Sequence, residues 1–128
     1  MKLLISLITH NRLSYTLRTL DSLFKTITVP YYLVAVDNKS TDDTREWLKE
    51  QKKLGRIDFV ILNQGNYYPG KATNMGWGMG LYKYPEATHL MRLDNDMEFL
   101  PGWDTKAEEY FKKIDRLGQL GLDFDGGE

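Results

Sequence analysis

Four runs of apolar residues, each of strand length, recur along the chain at intervals of about 30 residues. They cover residues 2–8, 31–36, 57–62 and 88–93, and each is followed by a cluster of polar residues. Short apolar runs that end at turn-forming or polar residues are typical of buried strands. The pattern therefore predicts four β-strands.

The segments before the second strand and after the fourth carry apolar residues at the spacing of one helix face. The first segment has them at Leu13, Leu17, Leu20, Leu23 and Phe24, and the last at Trp103, Ala107, Tyr110, Phe111, Ile114 and Leu117. Both are predicted to be amphipathic helices.

Two further helices are predicted between the strands. Ser40 is placed to cap one of them, with Asp42 and Asp43 in its first turn, and Gly55 is a plausible end for it. Residues 71–82 form the other, although three glycines disfavour a helix there. Residues 119–124 are a candidate for one more strand near the chain end.

Strands that alternate with helices predict an α/β sandwich around a mainly parallel sheet, and 128 residues fit a single domain, 1–128. Ligands bind such sheets beyond the carboxyl ends of the strands. The polar clusters, at residues 9–12, 37–40, 63–70 and 94–96, all follow strands. We therefore expect them to meet at one edge of the sheet and to form the functional site.

The sequence Asp94-Asn95-Asp96 comes directly after the fourth strand. Two carboxylates two positions apart at a strand end can face one small volume, and hard divalent cations prefer oxygen ligands together with substrate phosphates. The same tripeptide is rich in turn formers, so an acidic turn is the alternative interpretation. For His10 and His89, a structural role is favoured over metal binding, because nothing groups them into a histidine-rich site.

Composition narrows the class of protein. The formal charge of −1 gives no basic excess for nucleic-acid binding, and no stretch has the length of apolar sequence that spans a bilayer. The chain has no cysteine, which excludes disulfides and thiolate metal sites and agrees with a reducing compartment. We expect a folded cytoplasmic protein.

The ordered set of polar motifs resembles the family 2 glycosyltransferases of the GT-A fold. The resemblance rests on residues 8–12 (ITHNR), 36–44 (VDNKSTDDT), 63–66 (NQGN), 70–76 (GKATNMG) and 93–96 (LDND). It implies a nucleotide-diphospho-sugar transferase with a Rossmann-like α/β/α sandwich. It also implies that much of the acceptor-binding C-terminal half of that family is missing from this chain.

The resemblance implies which residues bind the nucleotide-sugar. Thr9 and Asn11 would line the base pocket, with ordinary turn chemistry as the alternative, and Arg12 would meet either a phosphate or solvent. Asp37 would accept a hydrogen bond from the nucleobase or ribose, unless it is a turn or capping carboxylate. Asn38 belongs to the same matched stretch and is assigned to the donor site.

The third helix and the acidic run would complete the donor site. Lys71 stands where relatives often carry a basic residue near the nucleotide, with a solvated lysine at the helix start as the alternative. Asn74 would tie its helix to the donor loop or contact the donor. Asp96 would be a direct ligand of Mn²⁺ or Mg²⁺, and Asp94 would bind the metal, a metal-bound water or the ribose. Asn95 is neutral where many relatives carry another acid, which weakens the local negative field.

The implied function is metal-dependent transfer of a sugar from a nucleotide donor, with UDP favoured, to a hydroxyl of a saccharide, lipid or protein. The alternative is a donor-binding module without transfer activity of its own. No residue matches the general base that an inverting transferase needs. Three alternatives therefore stay open: a natural minimal form, a part of a longer protein, or a half that acts with a partner chain or as an oligomer.

Overall fold

The computed structural model describes residues 1–122. These residues form four strands and four helices in strict alternation, as the apolar pattern predicts. In chain order they are β1 (Leu3–Thr9), α1 (Leu13–Thr26), β2 (Tyr31–Asn38), α2 (Thr44–Lys53), β3 (Phe59–Asn63), α3 (Pro69–Lys83), β4 (His89–Asp94) and α4 (Trp103–Lys113).

The four strands form one sheet in the order β3-β2-β1-β4, and every neighbouring pair is parallel. The predicted parallel α/β architecture is therefore confirmed. From β1 the chain steps outward to β2 and β3, and then returns across the sheet to β4 on the other side of β1. This reversal of direction between β1 and β4 is the topological switch point, where such folds form a ligand crevice.

Alternate residues of the central strands face opposite layers, as the two-residue period of a strand requires. On β1, Leu3, Ile5 and Leu7 pack in a core with residues of α1 and α2, whereas Leu4 and Ile8 pack in a second core with α3. Trp103 at the start of α4 adds to the first core. Helices therefore cover both faces of the sheet, with α3 alone on its face among the described helices.

Several boundaries differ from those predicted from sequence. The strand expected at 57–62 begins only at Phe59, because the backbone N–H of Ile57 bonds to Gln51 at the end of α2. α4 ends at Lys113, before the last apolar positions predicted for it. Residues 119–122 form no strand, and residues 123–124 of that prediction lie outside the described residues.

The prediction for the start of α2 is wrong, and the prediction for its end is confirmed. Ser40 does not cap the helix, which begins four residues later at Thr44, because the Ser40 hydroxyl bonds to Asp37 instead. Asp42 and Asp43 precede the helix rather than lying within its first turn. Gly55 follows the helix with a φ of 78°, a left-handed conformation that suits glycine.

Two glycines of α3 allow the helix to lie close against β1. A Cβ added at Gly76 would lie 2.9 Å from the Cβ of Ser6, and one added at Gly80 would lie 2.5 Å from Leu4 Cδ1. A Cβ at Gly78 would meet nothing within 4 Å. The glycines that disfavour a helix in isolation thus include two that its packing requires.

α4 is held in place at its first turn by Asp104, which is fully buried. Its Oδ2 accepts hydrogen bonds from the backbone N–H groups of Thr28 and Val29 and from the Thr28 hydroxyl. Burial alone would raise the pKa of this carboxyl, but these donors outweigh it, and the pKa lies below its ordinary value of 3.8. The first turn of α4 is thereby joined to the segment that leads into β2.

None of the helices in residues 1–122 combines the length and apolar character needed to cross a bilayer.

We expect Gly76→Ala to lower the free energy of unfolding by about 1–3 kcal/mol, because the added methyl must displace β1 or the helix. Gly78→Ala is the matched control and should raise it by about 0.5–1 kcal/mol, since it removes backbone freedom from the unfolded chain at an open position. Urea unfolding followed by circular dichroism measures both. Equal midpoints for the two variants would contradict the close packing of α3.

We expect Asp104→Asn to lower the free energy of unfolding at pH 7 by about 1–2 kcal/mol, because a neutral amide accepts these bonds less strongly. The lowered pKa places this stabilisation above pH 3.8, and acid removes it as the native carboxyl is protonated. The gap between variant and parent should therefore narrow below that pH. Asp21→Asn, at an exposed pair with Lys25, should show no such gap at any pH.

Candidate functional site

The carboxyl ends of all four strands lie at the same edge of the sheet, in register. Thr9 pairs with Asp37, Asn38 pairs with Asn63, and Ile8 pairs with Asp94. The predicted convergence of the polar clusters is therefore confirmed. The loops after β1 and β4 flank the switch point, which makes this edge the candidate functional site.

Asp37 lies at the centre of this edge and is fully buried. Its Oδ1 accepts hydrogen bonds from the hydroxyls of Thr9 at 2.7 Å and Ser40 at 2.6 Å. Its Oδ2 accepts from the backbone N–H of Ser40 at 2.9 Å and from Arg45 at 3.3 Å. Both carboxylate oxygens are thus occupied by the protein, as a buried charge requires. In this geometry Asp37 and Thr9 organise the loops.

Arg45 is a member of the site that the sequence patterns did not reveal. From the first turn of α2 its guanidinium reaches Asp37, and the same Nη1 atom donates to the backbone carbonyl of Asn63 at 2.8 Å. Arg45 therefore joins the ends of β2 and β3. Its spacing along the chain gives no signal of this role, because the role depends on how α2 lies against the sheet.

Asn11 links the loop after β1 to the loop after β2. Its side-chain oxygen accepts from the backbone N–H groups of Thr41 at 2.7 Å and Asp42 at 3.2 Å, and its own N–H donates to the Ser40 hydroxyl. Asn11 and Arg12 both have left-handed backbones, with φ of 55° and 56°. Asn adopts this conformation more readily than most residues, so the bonds of Asn11 stabilise a conformation suited to it.

Asp42 closes the same pair of loops from the other side. Its carboxylate accepts from the backbone N–H groups of Leu13 at 3.2 Å and Thr44 at 3.0 Å, so it serves the starts of both α1 and α2. The slight burial of Asp42 would raise the pKa of its carboxyl, but the bonds from Thr44 and Leu13 prevail and lower it.

Asn38 extends the network toward β3. Its side-chain oxygen accepts from the Asn63 amide at 3.0 Å, and its amide donates to the backbone carbonyl of Tyr67 at 2.8 Å. The backbone carbonyl of Asn38 lies 2.7 Å from Nδ1 of His10. Because a carbonyl only accepts, that ring nitrogen carries a hydrogen. His10 is nevertheless exposed at the rim of the site.

Asn95 turns toward α1, away from the two acids that flank it in sequence. Its amide donates to the backbone carbonyl of Asn11 at 3.3 Å and to the Thr16 hydroxyl at 3.1 Å. A carboxylate at this position has no hydrogen to donate, so the neutral residue suits this contact. Asn95 thus joins the loops on the two sides of the switch point.

The remaining candidate residues are all exposed, and together they are called the outer layer: Arg12, Lys71, Asn74, Asp94 and Asp96. The guanidinium of Arg12 lies 5.7 Å from the centre of the Tyr15 ring, and the ammonium of Lys71 lies 4.3 Å from that of Tyr67. Such exposed cation–π contacts are weak. These side chains therefore keep the freedom to contact a ligand.

Asp94 and Asp96 present carboxylate oxygens at the end of β4, which suits a hard divalent cation. Asp94 also lies 3.5 Å from the guanidinium of Arg92. Within residues 1–122 the structure contains no cluster of three or more acidic, histidine or cysteine side chains that holds a metal. Two carboxylates alone would leave such a cation to take its further ligands from elsewhere, as Mg²⁺ does from substrate phosphates and water.

Trp103 and Tyr68 lie in different environments. Trp103 packs against Phe99, with ring centres 4.7 Å apart, and its Nε1 donates to Thr26, so it belongs to the core. Tyr68 is 85% exposed in the loop before α3, at the same edge of the sheet as the site.

Comparison with known proteins agrees with this fold. The family model described as "Glycosyl transferase family 2" matches residues 5–122. Crystal structures of S. aureus TarS residues 1–349 are similar in fold, with TM-scores of 0.71 for the complex with UDP and 0.69 for the complex with UDP-GlcNAc. Identity is 23% and 22%, and each match covers 88% of this chain but only 32% of the TarS chain. No curated protein sequence matches the chain.

We expect Asp37→Asn to lower the free energy of unfolding by roughly 2–4 kcal/mol, because Arg45 and the hydroxyl donors lose a buried charged acceptor. Asp43→Asn is the matched control, since Asp43 is exposed and makes no capping bond through its side chain. Urea unfolding compares the two. If both variants unfold at the same urea concentration, Asp37 does not hold the loops together.

Proposed function

Because the chain belongs to glycosyl transferase family 2 and has its GT-A fold, we propose that it binds a nucleotide-diphospho-sugar and transfers the sugar to a hydroxyl acceptor. The chain spans about a third of the length of the TarS structures that it matches. The activity of a whole transferase is therefore part of the proposal.

The observation that carries the proposal is the two-layer site at the switch point. The inner layer (Thr9, Asn11, Asp37, Asn38 and Asn95) is bonded internally and fixes the loops. The outer layer of five exposed side chains carries two cations, an amide and two carboxylates. A diphosphate needs cationic partners, and a sugar or ribose needs polar ones, so this composition suits a nucleotide-sugar.

We propose that UDP is the nucleotide, supported by the fold shared with TarS, whose structures contain UDP and UDP-GlcNAc. In this assignment Lys71 and Arg12 neutralise phosphate charge, and Asn74 contacts the donor or positions the start of α3. Thr9, Asn11, Asp37 and Asn38 shape the base and ribose pocket. Asp37 is buried in this conformation. Direct contact with the nucleoside would therefore require its carboxylate to become accessible.

Mn²⁺ or Mg²⁺ is proposed as the cofactor, held by Asp96 and Asp94. When bound, such an ion offsets the negative charge of the diphosphate and of the departing nucleotide. The residues of the chain position this acidic turn. Asn95 holds the acidic turn against α1, and the exposed carboxylates on either side of it remain available to the ion.

A donor-binding module without transfer activity is the second candidate. Donor binding needs only the loops at the sheet edge, whereas an inverting transfer also needs a general base, and no residue of 1–122 is assigned to that role. The two candidates differ in one measurable property. Slow hydrolysis of the donor in the absence of acceptor supports the transferase, and binding without any hydrolysis supports the module.

Calorimetric titration with UDP-GlcNAc and UDP-glucose tests donor and cofactor together. We expect binding in Mn²⁺ that chelator weakens at least tenfold, because the diphosphate then loses its counter-ion. Asp96→Ala should bind no more tightly in Mn²⁺ than in chelator. Asp21→Ala, which removes an exposed carboxylate on α1, should bind like the parent. Unchanged Mn²⁺ dependence in Asp96→Ala would contradict the metal assignment, and no binding of either donor would contradict the proposed nucleotide.

A further inference from the structure

Arg92 is the one cation of β4, and it lies on the same face of the strand as Asp94, two positions further on. Both its Nε and its Nη2 atoms lie 3.5 Å from Oδ1 of Asp94. Neither the prediction of the site from sequence nor the family resemblance assigns Arg92 a role. Its charge nevertheless neutralises one of the two carboxylates proposed to hold the metal.

The ion pair between Arg92 and Asp94 is weak. The side chains of Arg92 and Asp94 are 47% and 50% exposed, and 3.5 Å is the outer limit of a hydrogen bond. Exposed ion pairs of this kind contribute little to stability. The other arginine–aspartate pair of the site is different, since Arg45 is mostly covered and Asp37 is fully buried. Arg45 is therefore a fixed structural partner, whereas Arg92 can exchange Asp94 for another anion.

A divalent cation and the Arg92 guanidinium compete for Asp94, because both are attracted to the same carboxylate and repel each other. In the donor-free protein this competition weakens cation binding. A diphosphate changes the balance, because its oxygens match the fork of donors on a guanidinium. Arg92 then has a new partner, and Asp94 is released to the cation.

We propose that Arg92 makes cation binding and donor binding depend on each other. It pairs with Asp94 while the site lacks donor and moves to the diphosphate when the donor binds. The inference rests on the proposed function and adds an order to it, in which the cation binds firmly only together with the nucleotide. Such mutual dependence is a coupling between two ligands and is reciprocal.

The test measures Mn²⁺ binding directly, from the electron paramagnetic resonance signal of free Mn²⁺, with and without UDP. In the absence of UDP, Arg92→Gln should bind Mn²⁺ about fivefold more tightly than the parent, the size expected for loss of an exposed charge contact. The factor by which UDP tightens Mn²⁺ binding should fall in the same variant. In the background of Asp94→Asn, Arg92→Gln should change Mn²⁺ affinity by less than about twofold, because the contested carboxylate is gone.

Arg56→Gln is the matched control, since it removes the same charge from the turn between α2 and β3, at the opposite edge of the sheet. It should leave both Mn²⁺ affinity and the effect of UDP unchanged. If the parent binds Mn²⁺ with UDP and Arg92→Gln behaves like it or binds Mn²⁺ more weakly, the inference about Arg92 fails and the proposed function stands. If the parent binds neither Mn²⁺ nor UDP, both fail.

Discussion

The structure of the site depends on one buried carboxylate. Asp37 is fully inaccessible, and a charge in that position must be matched by donors from the protein. The donors come from Thr9 on β1, Ser40 in the loop after β2 and Arg45 on α2. One carboxylate therefore holds three separate segments together. Because Arg45 also bonds to the end of β3, the same charge aligns three neighbouring strand ends.

In this arrangement the residues of the inner layer shape the site, and those of the outer layer are accessible to a ligand. The residues that the resemblance assigns to the donor fall into both groups, and sequence position does not distinguish them. Asn95 lies between two exposed acids but points inward to Thr16, whereas Asp94 and Asp96 remain outside. A substitution in the inner group therefore affects stability and binding together, whereas one in the outer group can change binding alone.

Most of the fold could be predicted from the sequence, because alternating apolar runs and helical periodicity require a parallel sheet, and parallel strands bring their ends together. The convergence of the polar clusters follows from that topology. The details that could not be predicted depend on contacts between distant segments. The role of Arg45 requires the orientation of α2, and the need for Gly80 requires the position of Leu4 beneath α3. Ser40 does not cap α2, because its hydroxyl bonds to Asp37, a partner that only the folded loops bring within reach.

The hydrogen bonds between the loops of the inner layer also determine whether conformational entropy is lost during folding or during ligand binding. The side chains of Asn11 and Asp42 already fix the backbones of the loops after β1 and β2. Flexible loops would have to become ordered when a ligand binds. The conformational entropy of those segments is therefore lost during folding and not again during association. The exposed side chains of the outer layer are not fixed in this way, and Lys71, for example, makes only a contact with the ring of Tyr67. At the loops after β1 and β2, the entropy cost of binding a ligand would then come from side-chain rotamers rather than from loop closure.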